Sequence, residues 1–294
     1  MASSLSVLQR ADPASLQLDP FPHIVLHDAL PERLYDDLVR SRPSPAALAV
    51  DETRNNQRWT VGAAQVVSNR EIPKLWRDFI AYHASRKFFC EVAELFFEGI
   101  HALYPRRYPT LASLKRLRVG VRRRDKFRRF DVLLDAQVAG NTPVRVPTSV
   151  RGTHIDLGKK IFSGLFYMRE EGDDSKGGDL EICRFRPKYA TVEAKSACFD
   201  DVYVPDDVVE VVRTVKYGKN TLVLFINSLD ALHGVTVRQK TPHGRYFVNL
   251  IGEVRPRLYR VVDCRPVYVQ DPIPARNFSL PRLSSFLGGL GGRR

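Results

Sequence analysis

The chain has no run of eighteen apolar residues, so it holds no candidate transmembrane helix. Its opening stretch, MASSLSVLQRADPAS, lacks the apolar core of a secretory signal. Cysteine is scarce: Cys90, Cys183, Cys198 and Cys264 are scattered and form no Cys-x-x-Cys zinc or redox motif. Reduced thiols in a cytoplasmic protein are therefore the expectation. There is no internal repeat, no aromatic groove and no peptide-docking motif. Acid is in short supply too, with 33 acidic against 46 basic residues and a net charge of +13.

Most of that excess is local. Arg106, Arg107, Lys115, Arg116, Arg118, Arg122, Arg123, Arg124, Lys126, Arg128 and Arg129 face a single acid, Asp125. Such a density suggests an anionic partner: nucleic acid, a lipid headgroup or a phosphorylated substrate. A solvated basic face is the plainer alternative. Residues 106–129 could bring the protein to an anionic membrane surface, helped by a tail where Phe286, Leu287 and Leu290 sit among Arg282, Arg293 and Arg294. Nucleic acid is the rival partner, and a homo-oligomer stays open.

A length of 294 residues with 44% hydrophobic content suffices for a core. Pro22 to His27 reads as a strand, and Leu34 and Leu38 mark a short helix after Pro31. Residues 58–67 read as a strand. Two helices follow, one with Leu75, Trp76, Phe79 and Ile80, the other with Phe88, Val92, Leu95, Phe96, Ile100 and Leu103. Both should cover the outside of a sheet. Beyond the basic segment, Val132, Leu134, Ala136 and Val138 alternate with Leu133, Asp135, Gln137 and Ala139. Further strands are expected near 150–156, 161–168, 178–184, 190–194, 210–216, 221–227, 233–238 and 245–252. Many short strands with few helices among them indicate a sandwich or barrel. Residues 253–294 are rich in Pro and Arg and read as a wrapping arm.

Chemistry concentrates in Arg151 to Arg184, where His154 and Asp156 stand two residues apart. On an extended strand they share a face. An imidazole and a carboxylate make two thirds of a metal site, and His233 is the best third ligand. Two His and one carboxylate on one face of an iron leave positions open for a co-substrate and O₂. Each residue alone has a plain reading, a hydrogen-bonded histidine or a turn-forming aspartate.

The ordered set His154-x-Asp156, His233 and Arg245 resembles the Fe(II)/2-oxoglutarate-dependent dioxygenases, in their prolyl-hydroxylase-like branch. LFYMR ahead of an acidic loop, Gly177-Gly178-Asp179-Leu180, and FPHIVLHDALPERLYDDL extend the likeness over roughly residues 20–255. The resemblance implies an α+β, mainly β fold: a double-stranded β-helix, or cupin-like jelly roll, with supporting N-terminal helices. It implies a single domain over 1–294, with strand and helices in 1–105, the jelly-roll core in 106–255 and an arm in 256–294.

It also implies Fe(II) on His154, Asp156 and His233, with 2-oxoglutarate as co-substrate and O₂ as oxidant. Arg245 would fork the far carboxylate of 2-oxoglutarate. Tyr167 would donate its hydroxyl to the same carboxylate, and Asn249 would support it. Gln137, on the first barrel strand, is a further pocket candidate. Related halogenases have a small residue in place of the carboxylate, so Asp156 implies hydroxylation of an unactivated C–H bond. Zinc hydrolases use a similar ligand set but need no Arg245. The branch suggests peptidyl proline as substrate. The subgroup acting on the Kdo sugar of lipopolysaccharide suggests an anionic glycolipid, with the enzyme peripheral to the inner membrane. A small anionic molecule, or a basic binding module with a vestigial barrel, completes the alternatives.

Overall fold

The structure, a computed structural model, describes residues 5–262 and 265–268, apart from 45, 49, 51, 52 and 150. The N-terminal part alternates short strands and helices: β1 (His23–Leu26), α1 (Glu32–Arg40), β2 (Arg58–Val61), α2 (Ala63–Ser68), α3 (Lys74–His83) and α4 (Arg86–Leu103). Then come α5 (Leu111–Lys115), β3 (Val119–Val121), β4 (Val132–Asn141), β5 (Lys160–Tyr167), β6 (Leu180–Phe185) and α6 (Val192–Ser196). The chain continues through β7 (Val209–Val215), β8 (Thr221–Ile226), β9 (His233–Val235) and β10 (Arg245–Val254) to a hairpin of β11 (Tyr259–Val262) and β12 (Arg265–Tyr268).

Two sheets face one another. The larger runs β1-β8-β5-β10-β4-β2, with β3 also paired to β4, and the smaller runs β7-β6-β9. Between them Tyr167, Val223, Phe225 and Phe247 of the large sheet meet Leu180, Ile182 and Val215 of the small one. The opposite face of the large sheet packs on the helices: Leu134, Ala136, Phe166, Leu224 and Val248 join Trp76, Phe79, Phe88, Val92 and Phe96. The α4 repeat supplies much of this surface, and Ser85 begins that helix by accepting the Phe88 N–H. With both faces covered, β8 reads as the continuous apolar run TLVLFI and is buried throughout. β4 is equally buried but alternates, because its inner face must carry polar groups. This is the double-stranded β-helix with supporting helices that the sequence implies.

Four expected elements differ. Residues 58–67 form a strand only to Val61; Asp135 Oδ1 then accepts the Ala63 N–H at 2.8 Å and starts α2. Residues 190–194 are not a strand, because Thr191 caps α6 by accepting the Ala194 N–H. Of the strand expected at 150–156, the described residues 151–156 form none; His154 alone of these pairs, in isolated bridges to His233 and Tyr203. The arm from residue 253 includes the β11–β12 hairpin. Cys264 and the tail residues Arg282, Phe286, Leu287, Leu290, Arg293 and Arg294 lie outside the described residues.

The segment after β10 closes onto the Asp156 loop. Tyr259 Oη donates to the Asp156 carbonyl at 2.7 Å, and the Leu258 N–H donates to the Gly158 carbonyl. Only glycine fits at 158, since a Cβ there would lie 2.0 Å from the Tyr259 carbonyl oxygen. Gly158→Ala should cost about 1–3 kcal/mol or more, as overpacking does. Thermal unfolding checks this: a Tm several degrees lower is expected, and an unchanged Tm would mean that this segment does not pack on the loop.

Candidate metal and anion site

His154 and His233 are brought together by backbone pairing. The His154 N–H donates to the His233 carbonyl at 2.9 Å, and the reverse bond is 3.0 Å. Their ring centroids are 4.2 Å apart. Asp156 completes the group: one ligand atom from each residue lies within 4.8 Å of the others, and all three are buried. His154 Nδ1 is 2.8 Å from the Gly152 carbonyl, and His233 Nδ1 is 2.9 Å from the Ala231 carbonyl. A ring nitrogen beside a carbonyl must be the donor, so each Nε2 keeps its lone pair free.

The charge states suit a metal. Burial, then the His233 and Arg151 charges, push His154 down to about 2. Burial lowers His233 as well. Both imidazoles are therefore neutral. Burial alone would raise Asp156, yet the Lys160 ammonium, through its charge and its hydrogen bond, holds it below the usual carboxylate range. Lys160 Nζ donates to Asp156 Oδ1 at 2.8 Å, and Ser163 Oγ to Oδ2 at 2.6 Å. Ser163 is fixed in turn by Asn227 Nδ2 at 3.0 Å.

At the other end of the same pocket stands Arg245, the first residue of β10 and only 2% exposed. Its Nη2 donates to Tyr167 Oη at 3.0 Å and its Nη1 to Asn141 Oδ1 at 3.3 Å. Both partners are neutral. Arg245 Nε and Asn141 Nδ2 are buried donors with no acceptor. A buried guanidinium left uncompensated costs on the order of 3–5 kcal/mol. An anion entering here would meet both the charge and the idle donors. Gly178 makes the room, because a Cβ on it would press on the Arg238 and Arg245 side chains at 3.0 Å.

The other expected residues divide. Asn249 lines the pocket. Tyr167 and Gln137 stand behind it and are not among its lining residues: Tyr167 orients Arg245, and Gln137 Oε1 accepts from Asn249 Nδ2 at 2.8 Å. Tyr167 accepts from Arg245 and so keeps its own O–H free to donate, which is what the expected contact with the carboxylate would use. Arg238, a basic neighbour in sequence, is buried beside Arg245 but outside the pocket lining, tied to the Asn56 side chain and the Thr142 and His243 carbonyls. Arg58, Asn141, Arg151, Lys160 and Ser163 also line the pocket, and the sequence reading missed them. Ser163 left one signal, a polar residue inside the apolar strand IFSGLFY.

The basic segment is less free than its composition implies. Arg107 is buried and donates to the Pro256 and Arg257 carbonyls. Arg118 pairs with Asp131 at 3.0 Å, and Lys115 pairs with Glu94. Arg122 bridges two buried carboxylates, Asp135 at 3.3 Å and Glu253 at 3.0 Å. Neutralising Arg122 would take from Asp135 its ion pair and leave Glu253 with Lys159, so it is no mere surface charge. Arg106, Arg116, Arg123, Arg124, Lys126, Arg128 and Arg129 are the exposed members.

No protein-family model matches the chain, and no curated protein does either. Solved structures similar to it include a prolyl-4-hydroxylase from Pseudomonas putida, at 12% identity and TM-score 0.43, covering 79% of this chain and 92% of that one. A prolyl 4-hydroxylase from Phytophthora capsici is similar at 13% identity and TM-score 0.44, covering 87% and 67%. HygX from Streptomyces hygroscopicus, with nickel and 2-oxoglutarate bound, is similar at 11% identity and TM-score 0.36, covering 80% and 81%. At these identities and TM-scores the likeness assigns neither activity nor substrate.

His154→Ala, Asp156→Ala and His233→Ala should each abolish binding of Fe(II) or Mn(II) in calorimetric titration while leaving the far-ultraviolet circular dichroism unchanged. A variant that binds metal like the parent would remove that residue from the ligand set.

Proposed function

We propose that the chain is an Fe(II)- and 2-oxoglutarate-dependent dioxygenase that hydroxylates an unactivated C–H bond. One observation carries this reading: a single pocket has a two-histidine, one-carboxylate group at one end and a buried arginine with idle donors at the other. A metal alone would explain the first end and a simple anion site the second. 2-Oxoglutarate explains both, with a keto acid for the metal and a second carboxylate for Arg245. A zinc hydrolase on the same ligands has no use for that arginine.

The residues fit the group. His154 and His233 would offer Nε2, and Asp156 a carboxylate already ionised and fixed by Lys160 and Ser163. Arg245 and Asn141 would fork the far carboxylate, with Tyr167 holding the guanidinium in plane. Leu165, Leu180, Phe225 and Phe247 line the pocket between and exclude water. When bound, Fe(II) would let O₂ attack the keto acid, releasing CO₂ and succinate and leaving one oxygen atom for the substrate.

For substrate, the sequence resemblance leaves peptidyl proline and the Kdo sugar of lipopolysaccharide as the two specific candidates. No helix among the described residues is long and apolar enough to cross a membrane. The exposed members of the basic segment could still draw the protein to an anionic glycolipid surface. Competition between anionic vesicles and RNA would separate that partner from nucleic acid.

Succinate should form when the protein is given Fe(II), 2-oxoglutarate and either candidate substrate. Arg245→Gln should raise the KM for 2-oxoglutarate about tenfold or more, the loss of one charged hydrogen-bond partner, without changing metal affinity. An unchanged KM would place the co-substrate away from Arg245.

A further inference from the structure

The pocket is more cationic than a metal and its co-substrate require. Four lining residues are cations, Arg58, Arg151, Lys160 and Arg245, against one carboxylate, Asp156. On the reading proposed above, a divalent ion and a dianionic co-substrate cancel one another, so the surplus of three remains. Lys160 is held by Asp156, and Arg245 faces the co-substrate. Arg58 and Arg151 are left over.

They reach the pocket from two sides. Arg58 lies on β2, and both Arg58 and Arg245 are registered opposite Asn141 of β4. The Arg58 guanidinium stands 5.4 Å from the Phe247 ring centroid, and that of Arg245 stands 5.0 Å from the same ring. Two like charges beside one ring repel, and Arg58, an exposed residue that also lines the pocket, has no protein acceptor or acid at hydrogen-bond or ion-pair distance among the described residues. Arg151 enters from the metal side. Its Nε donates to Tyr203 Oη at 3.3 Å, and its Nη1 keeps only a loose 3.8 Å contact with Asp156. Tyr203 is 42% exposed and lies 5.8 Å from the His154 ring, so this corner borders the candidate metal. Its position makes Arg151 a contact for something arriving from solvent.

We propose that Arg58 and Arg151 form a second anion site in this pocket and that it takes a carboxylate group of the substrate. The substrate is then an acidic molecule, a sugar acid or an acidic peptide, oriented over the candidate metal by its own charge. A guanidinium forks a carboxylate through two parallel hydrogen bonds, which fixes direction as well as affinity.

Calorimetry on the full chain, loaded with Mn(II) under anaerobic conditions, tests this. 2-Oxoglutarate is titrated first; if the parent does not bind it, the dioxygenase reading fails at that step, whatever follows. Two matched pairs are then titrated: D-glucuronate against D-glucose, and acetyl-glutamyl-prolinamide against acetyl-glutaminyl-prolinamide. In at least one pair the acid should bind about tenfold or more tightly than its neutral twin. The pair that discriminates identifies the source of the carboxylate. Arg58→Gln and Arg151→Gln should each erase about tenfold of that preference, leave the neutral twin unaffected and leave the affinity for 2-oxoglutarate within about twofold. Arg58→Lys should recover part of the loss, which a merely structural role would not. Two results would overturn the proposal: acid and neutral twins binding alike in both pairs, or Arg58→Gln weakening 2-oxoglutarate as Arg245→Gln does while sparing the acid preference.

Discussion

The register of β10 between β4 and β5 is the constraint on which the site depends. Arg245 stands opposite Asn141, Phe247 opposite Tyr167, Asn249 opposite Gln137, and Ile251 opposite Ser163. Each rung contributes one part: the anion end, the aromatic wall, the amide pair and the serine that holds Asp156. Strand side chains repeat every second residue, so a one-residue slip would turn Arg245, Phe247 and Asn249 toward the helices. The slip is forbidden by the apolar residues between them. Val248 and Leu250 are fully buried against the helical layer and have nowhere else to go. The helices therefore hold the pocket in place from behind without touching it.

Charge is the second organising term. Burial strips water from the histidines and keeps them neutral, while cations around Asp156 keep it ionised. The same cations leave the pocket with too little acid of its own. Some buried charge elsewhere is paired: Arg122 reaches Asp135 and Glu253, and Asp179 takes Lys216 and the Tyr217 N–H, whereas Arg107 and Arg238 each keep a buried Nε without an acceptor. The idle donors of Arg245 and Asn141 differ from those in lining the pocket, where a ligand could repay the cost of an unpaired buried group.

What the sequence disclosed was local or ordered along the chain. His154 and Asp156 are neighbours, β4 alternates, α4 repeats at helical spacing, and all three are readable without a partner. Arg58 and Asn141 were invisible as site residues because their place depends on β2, β4 and β10 lying side by side. Tyr167 and Gln137 lie on the expected face and reach the pocket through its lining residues Arg245 and Asn249. Period two tells which way a side chain points, and not whether another side chain stands in front of it. Arg122 failed for a related reason: composition counts a charge, but the carboxylates that absorb it come from β4 and from the far end of β10. The helical start at Ala63 was hidden likewise, since its cap is the distant Asp135.

Anaerobic visible absorption reports whether one pocket holds a metal and 2-oxoglutarate together. Fe(II) is added to the protein, then 2-oxoglutarate, and the spectrum is followed for a metal-to-ligand charge-transfer band. A shared pocket should give a band that requires both additions, saturates with 2-oxoglutarate, and is lost in His233→Ala. Tight binding of both components with no band would refute a shared pocket, because the keto acid would then not be on the metal.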